Sequence, residues 1–390
     1  MRRRTVMSML TGATLVVSAL FGTGTQAAQA ADVSAEFGTD WHDLVTAAPP
    51  VDRPHTKSCQ VTLADARFRD FTPYRGAYTP PKPVADPAPY ACKADRGPYR
   101  EVRISVDGRL AGIAAPFPNV WTGGWSNPFL WYVVPAPRAF DVRPIEYDLT
   151  PFAGLLNDGR PHRVEVSVLG VPAGQSGWSA PVNVLVWQDA HRAHVPGALT
   201  EDRATGLADS STFTPGAENR VHTEAGHRLA VSGHLDTSHG RVTTTVTRTL
   251  AHSSVHRWTD GEAVDGLDAT WTDDEAVGVA GRGPARTTRT HRTYTMNGAT
   301  TLGADDRLRT VLTLGDRASA VTREGGRRTA WSRLDDTYSG DATYTVDVPR
   351  DQRHAVGTSA ERYRLLGSDG CYDRSLTTVQ GVLTEDRSRC

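Results

Sequence analysis

Residues 101–115 read EVRISVDGRLAGIAA and carry the clearest structural signal in the chain. Apolar side chains alternate with polar ones from Val102 to Val106, which is the period-two pattern of a half-buried β-strand. The dipeptide Asp107-Gly108 follows and favours a two-residue hairpin turn, because glycine accepts the positive φ that such a turn requires. We therefore predict a β-hairpin, with Leu110–Ala115 as the returning strand.

Further strand signals surround this hairpin. The same alternation recurs from Val164 to Val168, and the apolar run Val184–Trp187 is typical of a central strand. Between them, Thr150-Pro151 predicts one brief helical turn before Asn157-Asp158-Gly159, with the threonine as cap and the proline at the first helical position. We expect an antiparallel β domain over residues 99–190.

Residues 191–390 differ in composition, because threonine, arginine, histidine and glycine dominate and aliphatic residues are fewer. Turn signals such as Asp260-Gly261 and Asn297-Gly298 separate short alternating runs, which predicts a second antiparallel β domain. No fixed repeat period is present, so a propeller or solenoid is not indicated. The alternating runs are Leu229–Val231, Val242–Val246, Val311–Leu314 and Tyr344–Val348.

The first thirty residues have the pattern of a secretory signal peptide. Three arginines, Arg2–Arg4, precede the apolar stretch Val6–Phe21, and Ala28-Gln29-Ala30 offers small residues for cleavage. We predict that residues 1–30 direct secretion and that the mature chain makes no membrane contact; a membrane anchor is the alternative. Residues 31–98 are rich in proline, which disfavours continuous strands, and we expect an extended segment with one or two short strands such as Gln60–Leu63.

Cysteine and charge content limit the possible functions. An exported chain with four cysteines predicts two disulfides, and three pairings are possible. We favour Cys59–Cys92 and Cys371–Cys390, whose partners are close in sequence. The net charge is −1, and the C-terminal arginines alternate with Asp, Glu and Thr, so we expect a solvated sheet face and no nucleic-acid partner.

The stretch Phe117–Phe140 is dense in aromatic residues set among glycines and prolines. Exposed aromatic rings in such a loop stack well on the flat apolar face of a sugar. The alternative is a core corner between two sheets, above all for Trp131, which precedes Tyr132. The candidate glycan-binding residues are Trp121, Trp125, Asn127 and Trp131.

Hydrolysis of an amide or glycosidic bond needs one acid to activate water and another to protonate the leaving group. Our candidates are Glu101, Asp141 and Glu146, although Asp141 could instead pair structurally with Arg143. No HExxH or GxSxG motif and no phosphate-binding loop occurs, so a zinc protease, a serine hydrolase of the elbow type and a P-loop enzyme are not indicated.

Three stretches in one order resemble the second half of the catalytic region of the peptide:N-glycosidase A family. They are PYREVRISVDGRLAGIAAPFPNVWTGGWSNPFLW (98–131), AFDVRPIEYDLTPFAGLLNDGRPHRVEVSV (139–168) and NVLVWQD (183–189), and SCQVTLADARFRDFTPYRGAYTPP (58–81) resembles the start of that region. The resemblance implies hydrolysis of the amide between N-acetylglucosamine and asparagine, with N-glycans or N-glycoproteins as partners and no metal or other cofactor. It also implies jelly-roll sandwiches, so we predict an all-β fold, a jelly-roll-like antiparallel sandwich followed by a second antiparallel domain.

The chain departs from the family's pattern between Pro81 and Tyr90. Only eight residues stand where the family has its first jelly roll, so residues 31–98 resemble a remnant of it. The family's Tyr-Asp-Arg motif occurs only at Tyr372–Arg374, and its Glu-Glu-Phe-Trp motif is absent, so no catalytic acid carries over. We therefore keep a non-catalytic glycan-binding or structural protein as the alternative. A sandwich without its partner also exposes an apolar face, which a second chain, the Pro-rich segment or the C-terminal domain could cover.

Overall fold

The computed structural model describes residues 13–17, 99–118, 140–141, 143–169, 182–192, 194–259, 263–345 and 348–390. Antiparallel strands make up nearly all of the regular structure in these ranges, and the prediction of an all-β fold is confirmed. Within the described residues, no helix has the length and apolar character needed to cross a membrane. The predicted strand Gln60–Leu63 and the predicted Cys59–Cys92 disulfide lie outside these ranges.

Two three-stranded sheets belong to the N-terminal half. One has the order β3-β2-β5, and the other has the order β4-β1-β6. The hairpin prediction is confirmed, because β2 and β3 pair across Asp107 and Gly108, whose φ angles are 50° and 78°. Strand β1 falls within the predicted signal peptide. The bounds are β1 Ala13–Val17, β2 Glu101–Val106, β3 Arg109–Ala114, β4 Ile145–Asp148, β5 Val164–Leu169 and β6 Val182–Val186.

The two small sheets meet at Tyr147, which projects from β4. Its hydroxyl donates a 2.7 Å hydrogen bond to the carbonyl oxygen of Val102 on β2. Gly112 on β3 makes room for the ring, since a Cβ at that position would lie 2.3 Å from Tyr147 Cδ1. The residues that alternate inward on β2, including Ile104 and Val106, are fully buried and form the core of this sandwich.

The prediction of a central strand at Val184–Trp187 was wrong for the described structure. Strand β6 stands at the end of its sheet and pairs only with β1 among the described strands. Side chains on both of its faces reach solvent, and Val186 is 65% exposed. An apolar run therefore signalled a strand correctly but gave no information about which neighbours that strand has.

The brief helical turn is present as a 3-10 segment, Thr150–Phe152, followed by helix α1, Ala153–Leu156. The predicted threonine cap was wrong: Leu149 is the capping residue, and the Thr150 backbone N–H donates to Asp148 Oδ1 at 2.9 Å. Gly233 on the large sheet accommodates this turn, because a Cβ there would lie 2.0 Å from the Pro151 carbonyl oxygen. The turn thus docks on the sheet backbone to backbone.

Residues 197–388 form one antiparallel sheet of eleven strands. Its order is β17-β16-β15-β14-β13-β12-β11-β10-β9-β7, and β8 also pairs with β9. Six of the strands have 17 to 20 residues. The bounds are β7 Gly197–Ala204, β8 Ala208–Thr214, β9 Glu218–Thr237, β10 Gly240–Thr259, β11 Val264–Ala280, β12 Arg286–Leu302, β13 Arg307–Glu324, β14 Arg327–Thr345, β15 Val356–Gly367, β16 Gly370–Val379 and β17 Val382–Ser388.

The predicted turn at Asn297-Gly298 was wrong, because both residues lie inside β12. Asn297 finds a cross-strand partner for its side-chain amide, which donates to Asp268 on β11. The pairing across the sheet therefore overrides the local turn preference. Asp260-Gly261 falls outside the described residues, while the predicted Cys371–Cys390 disulfide is present and joins β16 to the C-terminal residue.

One face of the large sheet packs against the small sandwich, and the two share a continuous core. Inward-facing residues alternate along the long strands, for example Leu308, Leu312 and Leu314 on β13. On the outer face, arginines pair with aspartates across neighbouring strands, as Arg309 does with Asp341 and Arg317 with Asp335. This arrangement is the solvated, charge-alternating face that the composition predicted.

Candidate functional site

Glu101, the first candidate acid, lies buried between β2 and the large sheet. Its carboxylate accepts hydrogen bonds from the Tyr99 hydroxyl at 2.6 Å and Arg103 Nε at 2.6 Å, and it lies 2.8 Å from His227 Nδ1 on β9. Burial alone would raise the pKa of Glu101, but the hydrogen bonds from His227, Tyr99 and Arg103 outweigh it and hold the pKa below its usual value. The group therefore joins the sandwich to the sheet as a buried, ionised carboxylate.

A second buried ion pair fixes the same interface. Arg248 on β10 makes a bidentate contact with Asp273 on β11, with both N–O distances at 2.7 Å. Asp273 also accepts from the Ala115 backbone N–H at 3.3 Å, and Arg248 donates to the Glu146 carbonyl oxygen at 3.3 Å. The guanidinium lies 5.8 Å from the Tyr147 ring centre. Charged side chains of the large sheet thus form hydrogen bonds with the backbone of both small sheets.

The other two candidate acids lie elsewhere. Glu146 points to solvent from β4 and contributes only its backbone to the interface. Asp141 pairs with Arg143 at 2.5 Å and accepts a 3.0 Å hydrogen bond from the Tyr363 hydroxyl on β15. This is the structural pairing that the sequence left open.

The large sheet separates these acids widely. Glu101 contacts β9 and Asp141 contacts β15, which lie six strand spacings apart, or about 29 Å at about 4.8 Å per spacing. The structure therefore does not bring Glu101 and Asp141 together, and their role as acids stays a prediction.

The four candidate glycan-binding residues, Trp121, Trp125, Asn127 and Trp131, lie outside the described residues. The two ends of their stretch are described, and both rest on the large sheet. Phe117 makes an edge-to-face contact with Tyr294 on β12, with ring centres 5.3 Å apart. Phe140 lies 5.8 Å from the Tyr363 ring on β15.

Tyr294 and Tyr363 belong to one row of paired residues that continues to Trp271 on β11 and to Arg374 on β16. Tyr294 on β12 is opposite Asp316 on β13, Asp316 is opposite Asp336 on β14, and Asp336 is opposite Tyr363. Both aspartates are buried, with 3% and 5% of their surface exposed. Phe117 and Phe140 therefore contact the sheet on either side of two carboxylates.

Two further polar groups lie in the next row along the same face. Tyr338 on β14 is opposite Glu361 on β15, and both are almost completely buried. Burial first, and then the neighbouring Glu361, raise the pKa of the Tyr338 hydroxyl well above its usual value. Within the described part of the chain, that hydroxyl has no hydrogen-bond partner. Arg292 on β12 lies 3.8 Å from Asp316, and Arg143 donates a 3.0 Å hydrogen bond to the Tyr363 hydroxyl.

Our sequence reasoning missed this row because it searched for acids beside the aromatic stretch in sequence. A signal was nevertheless present. Asp316 continues the inward phase of Leu312 and Leu314, and Asp336 lies between the inward-facing Leu334 and Tyr338. An aspartate in the apolar phase of a strand indicates a buried carboxylate, which deserves a functional explanation.

The outer face of the sheet carries an open groove of about 990 Å³, lined mainly by threonines, arginines and acidic residues of β10 to β13. His291 lies 2.6 Å from Asp274 within it. Across the described ranges, no group of three His, Cys, Asp or Glu residues could hold a metal ion. The inner face therefore carries two buried polar clusters, one around Glu101 and Asp273 and one in the row of Asp316 and Asp336.

The fold and these contacts define a class: an all-β protein whose small sandwich, bearing an aromatic stretch, docks on a long antiparallel sheet. Residues 88–204 match the family model described as peptide N-acetyl-beta-D-glucosaminyl asparaginase amidase A. The chain is also 31% identical, over 150 residues, to peptide-N4-(N-acetyl-beta-glucosaminyl)asparagine amidase A of Prunus dulcis. The resemblance found in the sequence is thereby confirmed, and this segment is related to the peptide:N-glycosidase A family.

The match covers 38% of this chain and 25% of the relative, so the chain spans about a quarter of the length of that curated protein. No solved structure matches the chain. The relationship therefore concerns the small sandwich and its aromatic stretch, whereas most of the eleven-stranded sheet lies beyond residue 204.

Proposed function

We propose that this protein hydrolyses the amide bond between N-acetylglucosamine and asparagine in N-glycoproteins, releasing the glycan. The observation that carries the proposal is the family match over residues 88–204, together with the name of the Prunus dulcis relative, which is an amidase for this linkage. The matched segment includes the whole aromatic stretch from Phe117 to Phe140, whose tryptophans are suited to stack on sugar rings.

The chemistry of the site supports a hydrolase over a passive module. Amide hydrolysis needs a base that activates water and an acid that protonates the leaving nitrogen. Phe117 and Phe140, the described ends of the aromatic stretch, contact Tyr294 and Tyr363 in the row that also contains two buried aspartates.

We also propose that the protein is secreted after removal of residues 1–30, which would place it where N-glycoproteins are exposed and would leave β4 and β6 without β1 between them. Edman sequencing of the protein recovered from the culture medium is expected to begin near Ala31. A protein that remains in the cells with its N-terminal residues attached would contradict secretion.

The test of the activity is mass spectrometry of a small N-glycopeptide incubated with the purified mature protein. We expect a free glycan and a peptide in which asparagine has become aspartate. The matched controls are a heat-denatured sample and the same peptide without glycan. An unchanged glycopeptide, together with circular dichroism showing a folded β protein, would contradict the proposal.

The second candidate is a secreted glycan or glycoprotein binder without turnover. It is favoured by the ion pairs of Glu101 with Arg103 and of Asp141 with Arg143, which use two candidate acids structurally. This function predicts glycan binding that Trp125→Ala abolishes, with no change in the mass of the glycopeptide. Isothermal titration with the released glycan separates the two functions from a structural module, which would bind nothing.

A further inference from the structure

We propose that the outer face of the large sheet binds an acidic polysaccharide, a chain of sugars that carries carboxylate or sulfate groups. The binding surface consists of the open groove of β10 to β13 and of six exposed arginines at one end of it, which we call the arginine cluster. This inference goes beyond the proposed amidase function and does not depend on it. The members of the cluster are Arg282, Arg286, Arg289, Arg323, Arg327 and Arg328.

The arginine cluster comes from two short stretches of the chain. Residues 281–289 and 323–328 contain the six arginines and a single acidic residue, Glu324, so their net charge is +5. No acidic side chain that the structure describes forms an ion pair with any of the six. Guanidinium groups are not deprotonated in proteins. This end of the sheet is therefore a region of uncompensated positive charge.

The opposite end of the outer face has a different charge pattern. Farther along the same two strands, Arg309 on β13 pairs with Asp341 on β14. In the cluster, Arg323 on β13 is instead directly opposite Arg328 on β14. Like charges in directly opposite positions destabilise a sheet, so the stability of the fold does not explain this arrangement. A bound anion would remove the repulsion.

Backbone contacts hold the two stretches together. The Gly325 N–H in the β13–β14 turn donates a 2.9 Å hydrogen bond to the Ala285 carbonyl oxygen in the β11–β12 turn. The Arg282 side chain lies against the start of β10, because a Cβ at Gly240 would be 2.7 Å from Arg282 Nε. The cluster is thus positioned before any ligand binds, which lowers the entropic cost of binding.

The groove beside the cluster carries side chains that are suited to sugars. Its volume of about 990 Å³ is at the upper end of the range for small-molecule sites, so it can hold a ligand of several sugar units. Hydroxyl side chains both donate and accept hydrogen bonds, as sugar hydroxyls do. Two members of the cluster and four hydroxyl-bearing residues line the groove: Arg289, Arg323, Thr247, Thr249, Thr287 and Ser319.

Asp274 favours a saccharide over DNA as the ligand. It lines the groove, 2.6 Å from His291, and its carboxylate accepts hydrogen bonds only from donors. Every sugar unit of a polysaccharide carries hydroxyl donors, whereas the backbone of DNA has none. Trp331 on β14 adds an apolar contact, because it is directly opposite Val321 of the groove and 37% exposed. Such a ring can stack on the apolar face of a sugar.

The experiment is isothermal titration of the mature protein with dextran sulfate, polygalacturonate and neutral dextran. We expect binding to at least one of the two charged polymers and no binding to neutral dextran. The two charged polymers distinguish a sulfated ligand from a carboxylated one. Affinity should fall as the NaCl concentration rises, because salt screens exposed charges. A folded protein that binds neither charged polymer would overturn the proposal.

The variant Arg289→Gln/Arg323→Gln removes two charges from the groove. We expect Kd to rise by about tenfold or more, which corresponds to about 1.4 kcal/mol or more. The matched control is Arg257→Gln/Arg309→Gln, which removes two charges from the opposite end of the outer face, where each arginine pairs with an aspartate. Its Kd should stay within about twofold of the wild type, since charges beyond a Debye length are largely screened. Equal losses in the two variants would overturn the assigned site.

Two further measurements test a structural role and a different ligand. Arg289→Gln/Arg323→Gln should melt at the same temperature as the wild type or higher, because it removes the repulsion with Arg328. A lower Tm with unchanged affinity would show that the arginines stabilise the sheet and would overturn the binding role. Single-stranded DNA that binds at least as tightly as the better polysaccharide would overturn the assignment to a sugar chain.

Discussion

The interface between the small sandwich and the large sheet contains two kinds of buried charge. At the β9–β11 end, Glu101 is surrounded by Tyr99, Arg103 and His227, and Asp273 is held by Arg248. At the β13–β15 end, Asp316 instead faces another carboxylate across the strands. The first end has the charge balance of a joint between two parts of a protein, whereas the second places two carboxylates in directly opposite positions. Stability measurements should therefore separate the two ends.

The largest effect is expected at Arg248. Arg248→Met leaves Asp273 buried without its cation, and breaking a buried pair in this way costs about 3–5 kcal/mol of unfolding free energy. Urea denaturation of wild type and variant would measure the loss. Arg241→Met is the control, because its pair with Asp236 is exposed and such pairs contribute about 0–1 kcal/mol. Equal losses in the two variants would contradict the assigned role of Arg248.

Glu101→Gln tests the charge at the same end of the interface. We expect a loss of about 1.5–3 kcal/mol, the range for hydrogen bonds to a charged group. Because the pKa of Glu101 is lower in the folded state than in the unfolded chain, its stabilisation is present above the unfolded pKa of about 4.3 and is lost as pH falls through the folded pKa.

Unfolding free energies measured between pH 7 and pH 3 would test this sign. The difference between wild type and Glu101→Gln should be constant near neutrality and shrink at acid pH. The conservative control is Glu165→Gln, since Glu165 lies on the exposed side of β5 beside Arg163. A difference that grows as pH falls would contradict the proposed state of Glu101.

Gly233→Ala tests the steric part of the joint. The added Cβ would meet the Pro151 carbonyl oxygen at 2.0 Å, and neither backbone can yield without separating the helical turn from β9. Overpacking of this kind costs about 1–3 kcal/mol. Gly206→Ala is the matched control, because a Cβ there has no atom within 4 Å and its φ is not positive. A thermal melt that is equally affected by both changes would mean that the turn does not dock as described.

Sequence alone predicted the parts of this fold that depend on neighbours along the chain. The hairpin at Asp107-Gly108 follows from the φ that glycine allows, and the β2 and β5 strands follow from alternation. Predictions failed where pairing between distant strands decides the outcome. Asn297-Gly298 lies within a strand because the Asn297 side chain donates a hydrogen bond to Asp268 on the neighbouring strand. Val184–Trp187 lies in the edge strand of its sheet, although its apolar composition is typical of a central strand.

The candidate site was hidden for the same reason. Each aspartate of the row occupies an ordinary position in its own strand, and only the register of β13 on β14 places Asp316 opposite Asp336. The chain separates the row from Phe117 by about two hundred residues, so proximity in sequence could not connect them. The sequence predicts which side chains of each strand face inward, but it does not predict which strands are neighbours in the sheet.

Asp336→Asn should have the smallest effect on stability and makes the comparison sharpest. Glu101 loses favourable partners when its charge is removed, whereas neutralising Asp336 removes a repulsion with Asp316 and leaves a side chain of the same shape. We expect the unfolding free energy to change by about 1 kcal/mol or less, or to rise, because like charges directly opposite each other destabilise a sheet. Urea denaturation alongside Glu101→Gln would measure the contrast at one pH. A loss as large as that of Glu101→Gln would mean that Asp336 stabilises the sheet as an ordinary buried ion, and the two ends of the interface would then be equivalent.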